Sequence, residues 1–308
     1  MSKDRPRNLA ASVRRRLTNL SRERGEDFQL VLTNYVIERL LYRISRSEYA
    51  ERFVLKGAML FRLWADQPHR PTRDLDLLGR GESSVEAMLS AFRSLCGVAV
   101  EDDGLTFDPD TVTAGKIKED QEYEGVRVEC RVHLGQARIA LQIDVGFGDA
   151  VVPRPVEVTY PAMLEFPAPV IKAYSRQTVV AEKFQAMVAL GIANTRMKDF
   201  FDLWVLTRTY RFEGDELSKA IQATFARRRT PLPTTPPIAL TPEFGSDSAK
   251  SKQWQAFVRK GRLDVESVTL AEVCEFLHSF LMPPVSALAA SEPFGRVWLP
   301  AGPWSDND

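Results

Sequence analysis

Two aspartates separated by one residue stand in the string RPTRDLDLLG, at Asp74 and Asp76. In RDLDLL the leucines alternate with the aspartates, the period of a strand with one apolar and one acidic face. On such a strand the two carboxylates point the same way, about 6.5–7 Å apart along the chain. Like charges so placed repel and push each other's pKa upward. A divalent cation between them removes that penalty, and Mg²⁺ takes carboxylate oxygens together with substrate phosphates. A third carboxylate would complete a two-metal site, with ions about 3.5–4 Å apart. Asp144 fits that place: it interrupts the apolar strand LQIDVGF, where a lone carboxylate is unfavourable without a partner. A competing reading is a solvated turn, since D-x-D tripeptides are common. The flanking leucines, the upstream Gly57 and Asp144 weigh against it.

A second set lies downstream. Lys183 falls within VVAEKFQAMVAL, whose other positions are mainly apolar. It is either a boundary residue whose ammonium snorkels to water or a cation that grips a nucleotide phosphate. In RMKDFFDLW, Asp199 and Asp202 are three residues apart and share a helical face, with Lys198 four residues before Asp202. The bland alternative is a surface salt bridge worth under about 1 kcal/mol. The functional one has an aspartate orient Lys183 or position the incoming acceptor.

These residues need a strand-and-helix frame. Residues 26–44 carry apolar side chains at helical spacing and predict an amphipathic helix. FVLKGAMLFRLW (53–64) predicts a short strand entering a helix, with Gly57 permitting the turn. Residues 68–73 form a Pro-containing loop before the acidic strand, and 85–95 read as helix. VRVECRVHL, ARIALQIDVGFG and PVEVTY are β-branched and bounded by turn residues, hence strands. Helical periodicity returns in TVVAEKFQAMVALG and RMKDFFDLWVLTRTY. The Pro- and Ser-rich stretch 229–252 predicts a loop or linker, and one or two helices ending near Met282 precede an irregular tail.

The resulting fold class is α+β, with a mixed sheet in the middle of the chain. The length of 308 residues accommodates an N-terminal helical segment (1–50), an α/β core (51–165) and a C-terminal helical domain (166–308). Forty-one basic and forty-one acidic residues cancel, so net charge selects no partner. Two local basic clusters, one holding Arg5, Arg7, Arg14, Arg15, Arg16, Arg22 and Arg24 and the other Arg227, Arg228 and Arg229, could meet phosphate backbones or be solvated helix faces. Cys96, Cys130 and Cys274 are widely spaced and odd in number, which excludes a disulfide framework and zinc spacing and fits a reducing cytosol. With no signal peptide and no run near the ~20 apolar residues of a membrane span, a soluble cytoplasmic protein is expected.

Taken in order, YVIERLLYRIS, RFVLKGAMLFRLW, RPTRDLDLLG, LQIDVGFGD, VVAEKF and MKDFFDLWVL resemble the AbiEii/AbiGii toxin family of the DNA-polymerase-β-like nucleotidyltransferase superfamily. The resemblance runs from about Tyr35 to Tyr210. It implies a polymerase-β-like core with helical extensions. The implied activity is Mg²⁺-dependent transfer of NMP from an NTP, with two ions and, in some members, the 3′ end of tRNA as acceptor. The family includes toxins of toxin–antitoxin and phage-defence systems, so it also implies a cognate antitoxin.

By that resemblance Asp74 and Asp76 are the metal pair, Asp144 the third carboxylate, Lys183 the helical lysine, and Asp199 with Asp202 the late K-D-x-x-D motif. Thr72 belongs to the pattern, and Arg73 and Lys198 are candidate nucleotide contacts. Where the superfamily has Gly-Gly or Gly-Ser, this chain has Gly57-Ala58. The lost hydroxyl removes one hydrogen bond, about 0.5–1.5 kcal/mol, and weakens phosphate binding without abolishing it. Adenylylation of a protein such as the antitoxin, or a degenerate nucleotide-binding module, are the alternatives.

Overall fold

The computed structural model describes residues 8–64, 70–117, 125–263, 265 and 267–306. Arg5 and Arg7 of the first basic cluster, and Pro68 and His69 of the predicted loop, lie outside the described residues. The chain forms two compact units. The first comprises Met1–Gly148 and Val156–Ala173, the second Asp149–Pro155 and Tyr174–Asp308.

The first unit begins with helices α1 (Leu9–Arg24) and α2 (Phe28–Ser45) and strand β1 (Phe53–Lys56). A 3₁₀ turn (Gly57–Leu60), the short α3 (Phe61–Trp64), β2 (Asp74–Gly79) and α4 (Val85–Cys96) follow. Strands β3 (Leu105–Lys116), β4 (Gly125–Leu134), β5 (Ala137–Phe147), β6 (Val156–Thr159) and β7 (Val170–Ala173) complete it. All seven strands join one mixed sheet in the order β3-β4-β5-β2-β1-β7-β6. The α+β expectation holds. Strands β3 and β7 escaped the sequence reading. LTFDPDTVTAGK carries a proline and a register shift between Asp108 and Thr113 that break its alternation, and VIKA is very short.

Along β4 the alternation is strict: Val126, Val128, Cys130 and Val132 are buried, while Arg127, Glu129 and Arg131 are exposed. Helices α2 and α4 pack on the sheet, and the polar positions of β2, β4 and β5 share its other face. That polar face carries the candidate chemistry.

Helix α2 is buried from Val31 to Ile44, polar residues included, so its environment is wider than an amphipathic stripe implies. Arg39 and Arg43 reach the buried Asp103, with Arg39 Nε donating at 3.0 Å and Arg43 Nη1 at 2.7 Å. Glu38, fully buried, accepts a hydrogen bond from the Met163 N–H at 2.7 Å. Burial pushes its carboxyl up to about 7, against the pull of the Met163 bond and of Arg39. A folded-state pKa above the unfolded value gives a stabilisation present at low pH and lost as pH rises from about 4.5 to about 7. Glu38→Gln is therefore expected to raise stability by about 1–3 kcal/mol at pH 8 and to change it little at pH 5, in denaturant melts at the two values.

The second unit contains α5 (Arg176–Leu190), a 3₁₀ turn (Gly191–Ala193), α6 (Met197–Thr209), β8 (Phe212–Glu213) and α7 (Gly214–Arg227). A further 3₁₀ turn (Ile238–Leu240), α8 (Pro242–Ser246), α9 (Ser248–Gly261), α10 (Leu270–Ala289), β9 (Val297–Trp298) and β10 (Trp304–Ser305) follow. Within the predicted linker only 229–237 and the single positions 241 and 247 lack helix and strand; Leu240 and Phe244 are buried, and Phe244 stacks on Phe200 with centroids 5.4 Å apart. The same residues that signal a loop serve here as helix caps: Thr241 caps α8, Pro242 opens it and Asp247 caps α9.

The predicted end at Met282 is also corrected, since α10 runs to Ala289 through Pro283 and Pro284. The tail is not irregular throughout. Strands β8, β9 and β10 form a three-stranded sheet, Trp298 donates to the Thr207 carbonyl at 2.7 Å, and Trp304 stacks on Phe280. Among the described residues no helix is long and apolar enough to cross a membrane.

Candidate active site

Strand β2 lies between β1 and β5, antiparallel to the first and parallel to the second. Its Leu75 and Leu77 are fully buried, which turns Asp74 and Asp76 to the polar face. Asp76 stands in register with Asp144 of β5 on one side and with Lys56 of β1 on the other. The three carboxylates named from the sequence therefore share one face of two adjacent parallel strands.

Gly57 completes the setting of Asp76. Its φ of +73° is one that side-chain-bearing residues rarely adopt, and a Cβ there would meet Asp76 Oδ2 at 2.1 Å and Asp76 Cβ at 2.7 Å. The aspartate thus lies directly against backbone. Gly57→Ala combines backbone strain with overpacking, and we expect a loss of about 2–3 kcal/mol in denaturant melts. Ala58, the next residue of the turn, is half-buried.

Asp144 has a partner that sequence reasoning missed. Arg127 of β4 faces it across an antiparallel pair, and its guanidinium is bidentate, Nε donating to Oδ1 and Nη2 to Oδ2, each at 2.8 Å. The signal was present. The β4–β5 hairpin turns at Gly135-Gln136, and counting seven residues back on each strand from Leu134 and Ala137 pairs Arg127 with Asp144. Asp144 is also less isolated than an apolar strand suggests, because that strand is apolar on one face only.

Thr72 and Arg73 precede the acidic pair. The Asn34 amide, in the orientation that satisfies both neighbours, donates to the Thr72 carbonyl and accepts from Arg62 Nη1, each at 3.2 Å. This ties the approach to Asp74 onto α2. Arg73 is exposed and lies 3.7 Å from Asp27.

In the second unit Lys183 of α5 is not a boundary residue snorkelling to water. Its ammonium lies 2.6 Å from Asp199 Oδ1 and 2.8 Å from Asp202 Oδ2, both on α6. Both aspartates are fully buried, which overturns the surface salt-bridge reading, and Lys198 is exposed. Arg196, unnoticed in the sequence, donates to Asp199 Oδ2 at 2.6 Å. Burial alone would raise the Asp199 pKa; attraction to Lys183 and Arg196 outweighs it and holds the carboxyl below its ordinary value. Nearby, Arg228 is taken up by Asp149 at 3.1 Å and Gln185 at 2.8 Å, so this member of the second basic cluster is an internal tie and not a phosphate-seeking surface residue.

An all-oxygen donor set on a rigid strand suits a hard divalent cation, and the Gly57 cradle leaves Asp76 without a side chain beneath it. The chemistry of Asp74, Asp76 and Asp144 fits magnesium. Among the described residues no three acidic, His or Cys side chains are yet gathered closely enough to hold an ion, and both oxygens of Asp144 are on Arg127.

The order of these segments matches a known family. The profile of the nucleotidyl transferase AbiEii toxin, of type IV toxin–antitoxin systems, matches residues 39–281. The chain belongs to that family. It is accordingly a nucleotidyltransferase of the AbiEii toxin type, and the match spans the acidic strand, β5 and the Lys183 and Asp199 helices. No curated protein matches the chain. Among solved structures, JHP933 from Helicobacter pylori is 15% identical with a TM-score of 0.44, covering 85% of this chain and 91% of its own. A candidate nucleotidyltransferase from the same organism is 15% identical with a TM-score of 0.46, covering 86% and 99%.

Proposed function

We propose that this AbiEii-family protein transfers NMP from an NTP to the 3′ end of tRNA, with Mg²⁺ held by Asp74, Asp76 and Asp144. The observation carrying this reading is the register that sets Asp76 beside Asp144, two residues from Asp74, on the polar face of the sheet. When bound, a pair of ions would neutralise the triphosphate, lower the pKa of the acceptor hydroxyl and stabilise the leaving pyrophosphate.

The chain's own part is to hold the donors still. Buried Leu75 and Leu77 fix the pleat of β2, and Gly57 lets Asp76 lie flat on the turn. Lys183 supplies positive charge for nucleotide phosphate, aligned by Asp199 and Asp202. Thr72, Arg73, Lys198 and the Gly57-Ala58 backbone are proposed nucleotide contacts. A cognate antitoxin, a role in phage defence and a cytoplasmic setting belong to the same proposal.

The test is incubation of the protein with each labelled NTP and either total tRNA or protein alone, with Asp76→Ala beside the wild type. Label on tRNA 3′ ends, dependent on Asp76, supports the proposal. Label on protein alone moves the acceptor to a polypeptide, and nucleotide binding without pyrophosphate release rejects catalysis.

A further inference from the structure

Across four neighbouring strands one row of the sheet's polar face reads Lys56, Asp76, Asp144, Arg127, from β1 through β2 and β5 to β4. The two central carboxylates are those assigned to the metal, and a cation stands at each end. The Arg127 end is fully defined: a bidentate guanidinium takes both oxygens of Asp144, and Asp74 also acts on it electrostatically.

Resting on the metal-dependent reading above, we propose that Arg127 is a nucleotide-binding residue that, while nucleotide is absent, serves as an internal cation for Asp144. It yields the carboxylate when a metal–nucleotide complex arrives and transfers its grip to the triphosphate. Three features favour exchange over a fixed structural bridge. The Arg127 side chain is 45% exposed and that of Asp144 22%, so the pair sits where water competes and contributes little net stability. A guanidinium fork matches phosphate oxygens as well as it matches a carboxylate, so its donors find equivalent partners after the exchange. A guanidinium fork and a divalent ion also compete for Asp144, since the fork already takes one lone pair on each of its two oxygens and its positive charge repels a second cation. In the apo row the two carboxylates Asp76 and Asp144 are thereby matched by the cations Lys56 and Arg127, with Asp74 leaving one negative charge over, and metal entry is coupled to nucleotide entry.

The test is calorimetric titration of the full chain with Mn²⁺ alone, then with a non-hydrolysable NTP analogue at saturating Mn²⁺. We expect Arg127→Gln to bind Mn²⁺ alone about three- to tenfold more tightly than wild type, and the analogue about tenfold more weakly. Adding Asp144→Asn to Arg127→Gln should erase the gain in metal affinity. Arg127→Lys, which keeps the charge and loses the fork, should fall between wild type and Arg127→Gln in both titrations. Unchanged or weaker Mn²⁺ binding by a folded Arg127→Gln, with wild type binding Mn²⁺ normally, makes Arg127 a structural bridge and overturns the proposal. If no variant binds Mn²⁺ and transfer persists in Asp76→Ala, the metal site fails, and this inference with it.

Discussion

Asp76→Ala is expected to lower kcat for nucleotidyl transfer by about 10³-fold or more, close to 4 kcal/mol of transition-state stabilisation. Asp76 is the central member of the acidic set: Asp74 shares its strand face, Asp144 stands in register beside it, and Gly57 lies beneath it. Removing it takes a donor away from where charge develops on the reacting phosphate, and KM should move much less than kcat. Stability should change by under about 1 kcal/mol, because the substitution leaves buried Leu75 and Leu77 in place and removes one of two adjacent like charges. The pairing of a large activity loss with a small stability change separates a site residue from a packing residue. Single-turnover transfer and thermal melts on the same preparations measure both. A variant within about threefold of wild-type kcat would remove Asp76 from the metal pair.

The acidic strand was legible because its signal is local. The alternation in DLDLLG fixes which side chains share a face, and Gly57 marks the turn whatever surrounds it. Arg127 was equally encoded, but it becomes visible only when β4 and β5 are paired through their turn, which is a statement about two strands at once. Glu38 and Arg39 were hidden for a related reason. Helical spacing marks where apolar residues recur, and it does not reveal that Asp103, 64 residues on, will close around the arginine and let the whole face go inside. The region after Arg228 misled through composition: Thr241, Pro242 and Asp247 are loop formers and helix caps alike, and burial of Phe244 decides between the two. Trp298 and Trp304 were the overlooked warning there, since large aromatic rings in a short tail seek a core.

Lys183→Met is expected to destabilise the protein by about 3–5 kcal/mol at pH 7, most of it in the second unit. Met fills a similar volume, so the loss is electrostatic: the substitution removes a cation shared by Asp199 and Asp202, whose side chains are 1% and 0% exposed. Arg196 still reaches Asp199, but its own side chain is 45% exposed and it engages only the second oxygen. The pH dependence identifies the cause. In the wild type the Asp199 carboxyl is held below its unfolded value, so its contribution is present above that value and is lost as pH falls through the folded one. In Lys183→Met burial is opposed by Arg196 alone, the carboxyl titrates higher, and protonation relieves the buried charge. The gap between variant and wild type should therefore narrow steadily from pH 7 to pH 4 in denaturant melts. A gap that stays constant over that range would mean that Lys183 stabilises α5 against α6 by packing and not by charge, and Asp199→Asn should then leave Lys183→Met no more stable than before.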